Sequence, residues 1–492
     1  MTILPQLSAN TRTLRQLPES FYRRVSPQAL NNPYLVAFSP AMAEILGIDP
    51  QSFRDQHLIE ILSGNRVAEN SDPIAMIYAG HQFGVYVPQL GDGRALMIGE
   101  IEDSDGDRWE IQLKGAGTTP FSRMGDGRAV LRSTVREFLC SEAMAALGIP
   151  TTRALCIVGS RDPVYREKVE TAAVLTRVAP SHLRFGNFEV FFYRGQYAEL
   201  KVLADFVIEQ FYPDCVDAGN PYLELLRRVS ERTASLIAQW QCIGFTHGVL
   251  NSDNMSILGL TIDYGPYGFL DTYRSGFVCN HSDDQGRYAY DQQPRIGLFN
   301  LSCLAQAMLP LIDSEDGASA AEQARAILAG YQPTFVAHYH AGMAAKLGLK
   351  VYREGDDALF GDLLALMEGQ VDFTLFFRAL CDFKPNQKSS LRDLFADREG
   401  FDRWMAAYRA RLEQEGRSDK ARQRQMRAAN PKYVLRNYLA QQAIESVEAG
   451  DYGEIEILLN LLQKPFSQQN PYSHYAAEPP DWARHLELSC SS

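Results

Sequence analysis

The stretch HGVLNSDNMSILGLTIDYGPYGFLD, residues 247–271, concentrates groups that could do chemistry. Asp253 and Asn254 lie in a polar turn, and the apolar run ILGLTI ends in Asp263-Tyr264-Gly265. A carboxylate and a carboxamide, each beside a short strand, could converge on one hard cation such as Mg²⁺, which takes oxygen donors. The same residues suit a β-hairpin with polar loops, because Asp and Asn favour turns. Upstream, Lys114 closes an alternating strand with Ile111 and Leu113, and Glu137 lies on a helix expected to pack on that sheet. A lone strand lysine is usually solvated, and Thr134-x-x-Glu137 matches a capping box. As a pair they could instead hold the ammonium toward a phosphate.

Two different textures surround these groups. From about residue 72 to 180 the chain reads as strands: AMIYAGHQFGVYVPQL, RALMIGEIE and RWEIQLKGAG, separated by turn signals at GDG (91–93) and DSDGD (103–107). The spacing predicts an antiparallel meander. A helix follows in VLRSTVREFLCSEAMAAL, stopped by Gly148 and Pro150, and then the strands TRALCIVGS and KVETAAVLTRVA. Ahead of this region, Ser39 and Gly47 bracket a short helix in FSPAMAEILGID. Beyond about 181 the apolar recurrence becomes helical, as in LELLRRVSERTASLIAQWQCIG. A β-rich half followed by an α-rich half predicts an α+β protein of two lobes with a ligand cleft between them.

Composition narrows the function classes. Lys and Arg number 48 against 60 Asp and Glu, for a formal charge of −12. A polyanion binder is usually basic, so bulk nucleic-acid binding is not expected. No run reaches the roughly 18 consecutive apolar residues of a membrane span, and no membrane partner is expected. The first residues carry no apolar signal core. The eight cysteines are scattered without a CxxC, so neither a disulfide framework nor a zinc site is expected, and a reducing cytoplasm is the expected setting. The segment 409–436 holds nine Lys/Arg against three Asp/Glu, which suits a solvated helix face or a dock for an acidic surface.

A strand lysine, a helix glutamate, H-x-x-L-x-x-x-N and D-[FY]-G, in that order, resemble the protein-kinase signature set. His247, Leu250, Asn254 and Asp263 fall on its matching positions. Val249 stands where the catalytic Asp would be and Gly248 where the Arg would be, and no G-x-G-x-x-G covers the first hairpin. A valine accepts no proton, so ordinary phosphoryl transfer is doubtful on these parts.

Longer motifs narrow the resemblance. YAGHQFGVYVPQLGDGRA (78–95), QLKGAGTTPFSRMGDGRAVLRSTVREFL (112–139), the 247–271 stretch and the near-terminal Cys490-Ser491-Ser492 resemble the selenoprotein O (SelO/YdiU) family of kinase-fold protein adenylyltransferases, over nearly the whole chain. The resemblance implies a bilobal kinase-like fold. It divides the chain into an N-terminal extension (1–70), an N-lobe (71–180), a C-lobe with the catalytic and DYG motifs (181–400) and a C-terminal helical extension with a redox tail (401–492). It implies that ATP binds flipped relative to kinases and that AMP passes to Ser, Thr or Tyr hydroxyls of proteins. Gly91, Gly93, Arg94, Asp126 and Gly127 would then line the nucleotide, and Lys114 would bind phosphate while paired with Glu137. Arg177 and Arg184 would hold phosphates at the lobe junction. Asn254 and Asp263 would bind Mg²⁺ or Mn²⁺, with Asp263 also at the nucleotide. Asp253 would accept the proton; from the residues alone it also suits a turn-capping Asp or a plain metal ligand. The resemblance also suggests a redox-sensitive disulfide between Cys279 and Cys490, where the residues alone suit two unpaired thiols. The competing readings are a non-catalytic ATP-binding pseudokinase scaffold, for which Val249 argues, and a small-molecule phosphotransferase.

Overall fold

The structure, a computed structural model, describes residue 7 and residues 14–384, 390–486 and 488. It is mixed α/β, with a β-rich N-terminal region and a helical C-terminal region. In chain order the strands are β1 (Tyr22–Arg24), β2 (Tyr34–Phe38), β3 (Ile74–Met76), β4 (Gly80–Gln82), β5 (Val85–Val87), β6 (Ala95–Glu102), β7 (Arg108–Lys114), β8 (Ala129–Val130), β9 (Arg153–Tyr165) and β10 (Val169–Ala179). The main sheet runs β1-β3-β6-β7-β10-β9-β2, with β8 beside β10. Both outer strands come from the first 40 residues, which read as short helices and turns in sequence. The helix around Ser39 forms as expected: Pro40–Ile45 is helical and the Ser39 hydroxyl accepts from Met42 N at 3.2 Å.

Register places the cationic side chains. Lys114 pairs with Ala95 on one side and Leu175 on the other, and Arg177 pairs with Gln112. Directly opposed residues share a face, and so do residues two apart along a strand. Lys114, Gln112 and Arg177 therefore project from one face of the sheet. The helix Leu131–Ala146 covers that face, buried over nearly its whole length, and is stopped near Gly148, whose φ is +79°. β4 and β5 lie off the main sheet as a two-stranded hairpin. Its turn is Phe83-Gly84, with φ of +50° and +82°, the left-handed pair that matches strand twist.

ILGLTI does not form the strand its apolar run predicts. Gly259, at φ +70°, closes a turn by donating to Ser256 O at 3.1 Å. Only single bridges remain, Ser256 to Arg184 and Thr261 to Thr151. The segment stays buried because Ile257 N reaches Leu183 O at 3.1 Å.

The segment Tyr290–Ile312 is long and apolar enough to cross a membrane by length and composition, but more than half of its apolar window is buried within the protein. A second apolar core gathers Phe376, Phe377, Trp404 and Tyr408. The basic run 409–436 serves this region from inside. Arg411 is buried against Asp356 and Glu415, and Arg422 donates to Phe383 O. Arg436, 1% exposed, joins Asp271 to Asp372, with 2.9 and 3.0 Å contacts to the latter. Removing Arg436 leaves Asp372 largely buried without its cation, while Asp271 is partly solvated, so the cost falls at or below the roughly 3–5 kcal/mol of a broken buried pair. Arg436→Ala should therefore lower the unfolding free energy by up to that amount and shift the chemical-denaturation midpoint down accordingly, and an unchanged midpoint would show that the network contributes nothing.

Candidate active site

A cleft of about 510 Å³ opens between the sheet and the helical region. Seven cationic side chains line it against four carboxylates, so its surface is positive although the whole chain carries −12. Local charge of that sign draws an anionic ligand such as a polyphosphate.

The floor is a buried charge network. Lys114 Nζ meets Glu137 Oε2 at 2.6 Å, and Arg177 Nε meets Glu137 Oε1 at 2.5 Å. The capping box does not form, because Thr134 Oγ1 donates to Leu131 O instead. Arg177 also donates to Gln112 Oε1 at 3.2 Å and pairs with Asp263. Arg184 reaches the other Asp263 oxygen at 2.5 Å, donates to Asp253 O at 2.9 Å and lies over the Tyr78 ring. Burial alone would raise the carboxyls of Asp263 and Glu137. Arg177 outweighs it at both, together with Arg184 and Lys114 at Asp263 and with Lys114 at Glu137, and holds both below the usual range. Burial, then the neighbouring Arg177, lowers the Lys114 ammonium to about 8. Asp263 has φ +55°, a strained backbone for a non-glycine residue that clusters at functional sites.

The polar turn after Val249 forms the opposite wall. His247 is fully buried and its Nε2 bonds Ile262 O at 2.8 Å, which ties this turn to the segment leading into Asp263. Asn254 Nδ2 donates to Val249 O at 2.9 Å. Asp253 is 6% exposed, and burial pushes its carboxyl up to about 7. Its Oδ2 accepts from Gln82 at 3.1 Å, and its Oδ1 is buried without a partner among the described residues. The hairpin seats directly on it: a Cβ on Gly80 would lie 2.7 Å from Asp253 Cβ and Oδ1.

The nearer rim carries Gly91, Gly93, Arg94, Asp126 and Gly127. Asp126 pairs with Arg166 at 2.8 Å. Gly127, at φ +71°, packs so tightly that a Cβ would sit 2.1 Å from the Gly117 backbone. Arg94 makes no ion pair among the described residues, and burial lowers its guanidinium. Cys279 lies below the far end, its thiol 3.7 Å from Thr246 O. Cys490 lies outside the described residues. Leu488 O accepts from His281 N at 2.8 Å, so this contact stands two residues from each cysteine.

Sequence reasoning brings together Lys114, Glu137, Arg177, Arg184, Asp253, Asn254 and Asp263. It misses Gln82, Tyr78 and Asp92. Asp92 reads as a turn residue, yet it is 3% exposed and accepts from Met76 N at 3.0 Å, pinning the Gly91–Gly93 turn to β3. The polar pair His81-Gln82 opening a hairpin that is otherwise mostly apolar is the available signal for that residue.

These parts form a cationic cleft with carboxylate and carboxamide oxygens on its walls, the donor types that anions and hard cations take. A family model described as "Protein adenylyltransferase SelO" matches residues 6–464. The chain is 57% identical over 479 residues to the "Protein nucleotidyltransferase YdiU" of Thioalkalivibrio sulfidiphilus, covering 97% of each. It is 53% identical over 496 residues to the protein of that name from Myxococcus xanthus and 50% over 494 to that of Pseudomonas aeruginosa PAO1, with full coverage of both chains in each case. The chain belongs to the SelO family and is a nucleotidyltransferase.

Proposed function

We propose that this nucleotidyltransferase has a kinase-like fold, divided as its family resemblance implies, and moves AMP from ATP to Ser, Thr or Tyr hydroxyls of cytoplasmic proteins. The observation that carries the proposal is the exchange of base positions. Val249 occupies the place of a kinase base, and Asp253 lies beside Asn254 with one buried oxygen unpartnered. A carboxyl near 7 is poised to take a hydroxyl proton at neutral pH. The acceptor oxygen then bonds to the α-phosphorus, the bond to the bridging oxygen breaks, and diphosphate leaves. ATP lies flipped relative to kinases, with its β- and γ-phosphates toward Lys114 and Arg94.

Arg177 and Arg184 also serve as phosphate holders, although both are committed to carboxylates. Arg184 Nε remains a buried donor without a partner among the described residues. Gly91, Gly93 and Gly127 admit the nucleotide closely, and Asp126 fixes that rim. The all-oxygen set of Asn254 and Asp263 fits Mg²⁺ or Mn²⁺, which when bound would neutralise phosphate charge. The alternative, a non-catalytic ATP-binding scaffold, is favoured only by Val249.

ATP labelled on the α-phosphate should label protein, and ATP labelled on the γ-phosphate should not. Val249→Asp should not restore γ-transfer. Label from γ alone would return the site to kinase chemistry, and label from neither would favour the scaffold.

A redox control is part of the proposal. The Leu488–His281 contact supports a Cys279–Cys490 disulfide. Peptide mapping after oxidation should find the linkage, and Cys490→Ala should remove any redox response; unlinked thiols in oxidised protein would end the idea.

A further inference from the structure

Behind the hairpin lies a second cluster of donors that the nucleotide site does not use. His81 of β4, Glu189 of the helix Phe185–Tyr193 and Cys303 of the helix Gln293–Ile312 bring their ligand atoms within 4.8 Å of one another. His81 Nδ1 lies 2.5 Å from Glu189 Oε2. Glu189 is fully buried, and its other oxygen, Oε1, has no partner among the described residues. Cys303 is 7% exposed. Tyr86, Tyr193 and Phe299 pack around the imidazole at 5.3–6.0 Å, and Arg287 lies over the Phe299 ring.

A fully buried carboxylate oxygen is costly unless something binds it. A water or an added proton satisfies one lone pair, but neither explains a thiol and an imidazole converging on the same point. One nitrogen, one oxygen and one sulfur donor form a borderline set. Zn²⁺ accepts such a set in tetrahedral geometry with water in the fourth place, whereas Mg²⁺ takes oxygen alone.

We propose that His81, Glu189 and Cys303 form a binding site for a borderline divalent cation of the Zn²⁺ class, separate from the cation held with the nucleotide. Binding forms the metal–sulfur bond as the thiol loses its proton to solvent. The His81–Glu189 hydrogen bond opens to admit the ion. Donors around tetrahedral zinc stand roughly 3–4 Å apart, so the close pair must part and the distant pair approach by about 1 Å. Burial, which pushes the free thiol up to about 12, makes the ion compete with a firmly held proton. The three ligands come from residues 81, 189 and 303, far apart in sequence, so the absence of CxxC spacing does not bear on them.

The site has a mechanical consequence. His81 N donates to Ser252 Oγ at 2.7 Å, and the next residue, Gln82, holds Asp253. An ion at His81 would clamp the hairpin to two helices and hold that contact in place. This holds whatever role Asp253 plays.

The test uses the full chain, stripped with a chelator and titrated with Co²⁺ in excess Mg²⁺, which occupies an oxygen-only site. One Co²⁺ per chain should bind with a sulfur-to-cobalt charge-transfer band and tetrahedral d–d bands, and Zn²⁺ should displace it. Cys303→Ala should abolish the charge-transfer band, and Glu189→Gln should weaken binding by at least roughly 100-fold. Absence of the band in the unaltered protein, or its persistence in Cys303→Ala, would overturn the proposal. If the variants do not fold, anomalous diffraction at the zinc edge from unaltered, zinc-soaked crystals decides: a peak among these three side chains supports the site, and a peak only elsewhere rejects it.

Discussion

Asp263→Ala should lower nucleotidyl transfer by about 10²–10³-fold and should also destabilise the fold. The first effect follows from losing the carboxylate that would hold the cation and that orients Arg177 and Arg184 toward the phosphates, where one stabilising contact is worth about 10²–10³ in rate. The second comes from the clamp. Arg177 and Arg184 are both buried and both end on this carboxylate. Removing it takes one anchor from each of two buried guanidinium groups, which keep Glu137, Gln112 and Asp253 O as partners, so the cost falls below the roughly 3–5 kcal/mol of a fully broken buried pair. The family resemblance assigns this carboxylate only to the metal and nucleotide; the two buried arginines make it structural as well. Asp263→Asn separates the effects, because its amide oxygen still accepts from one arginine while the charge is lost. Turnover near that of the unaltered protein in either folded variant would remove Asp263 from the reaction.

Asp253→Asn should cost about 10²–10⁴-fold in transfer, the usual worth of a positioned base. Nucleotide affinity and the denaturation midpoint should hardly move. The Asn oxygen can still accept from Gln82, and a buried carboxyl whose charge is already disfavoured is exchanged for a neutral group of the same shape. Single-turnover rates with saturating ATP, beside calorimetric nucleotide binding, separate the two. An unchanged rate would mean that the proton leaves by another route.

Residues carried by spaced motifs were legible because the spacing itself encodes the turn or strand that presents them. Lys114 sits at a strand end, and Asn254 and Asp263 flank one buried segment tied together by His247. The helix Leu131–Ala146 and its stop at Gly148 were legible for the same local reason. ILGLTI was not, because periodicity cannot show that Gly259 takes a left-handed turn. β1 and β2 were not, because a strand only three to five residues long is defined by the partner it meets. The arginine clamp on Asp263 joins three separate segments, and no window along the chain contains it. Gln82 and the His81, Glu189 and Cys303 cluster were hidden in the same way.

The borders of the main sheet are the first of its strands to be synthesised. Among the described residues β2, with the sequence Tyr-Leu-Val-Ala-Phe, pairs only with β9, whose matching residues come roughly 120 positions later. At about 5–20 residues per second, an emerging chain carries this apolar strand unpaired for on the order of 6–24 s. Its backbone donors and acceptors are open to other strands during that interval. Closing so long a loop also slows refolding from denaturant. Yield of folded protein should therefore depend on translation speed, temperature and the supply of chaperones that bind extended apolar segments, and inclusion bodies formed at high expression should protect residues 34–38 from exchange.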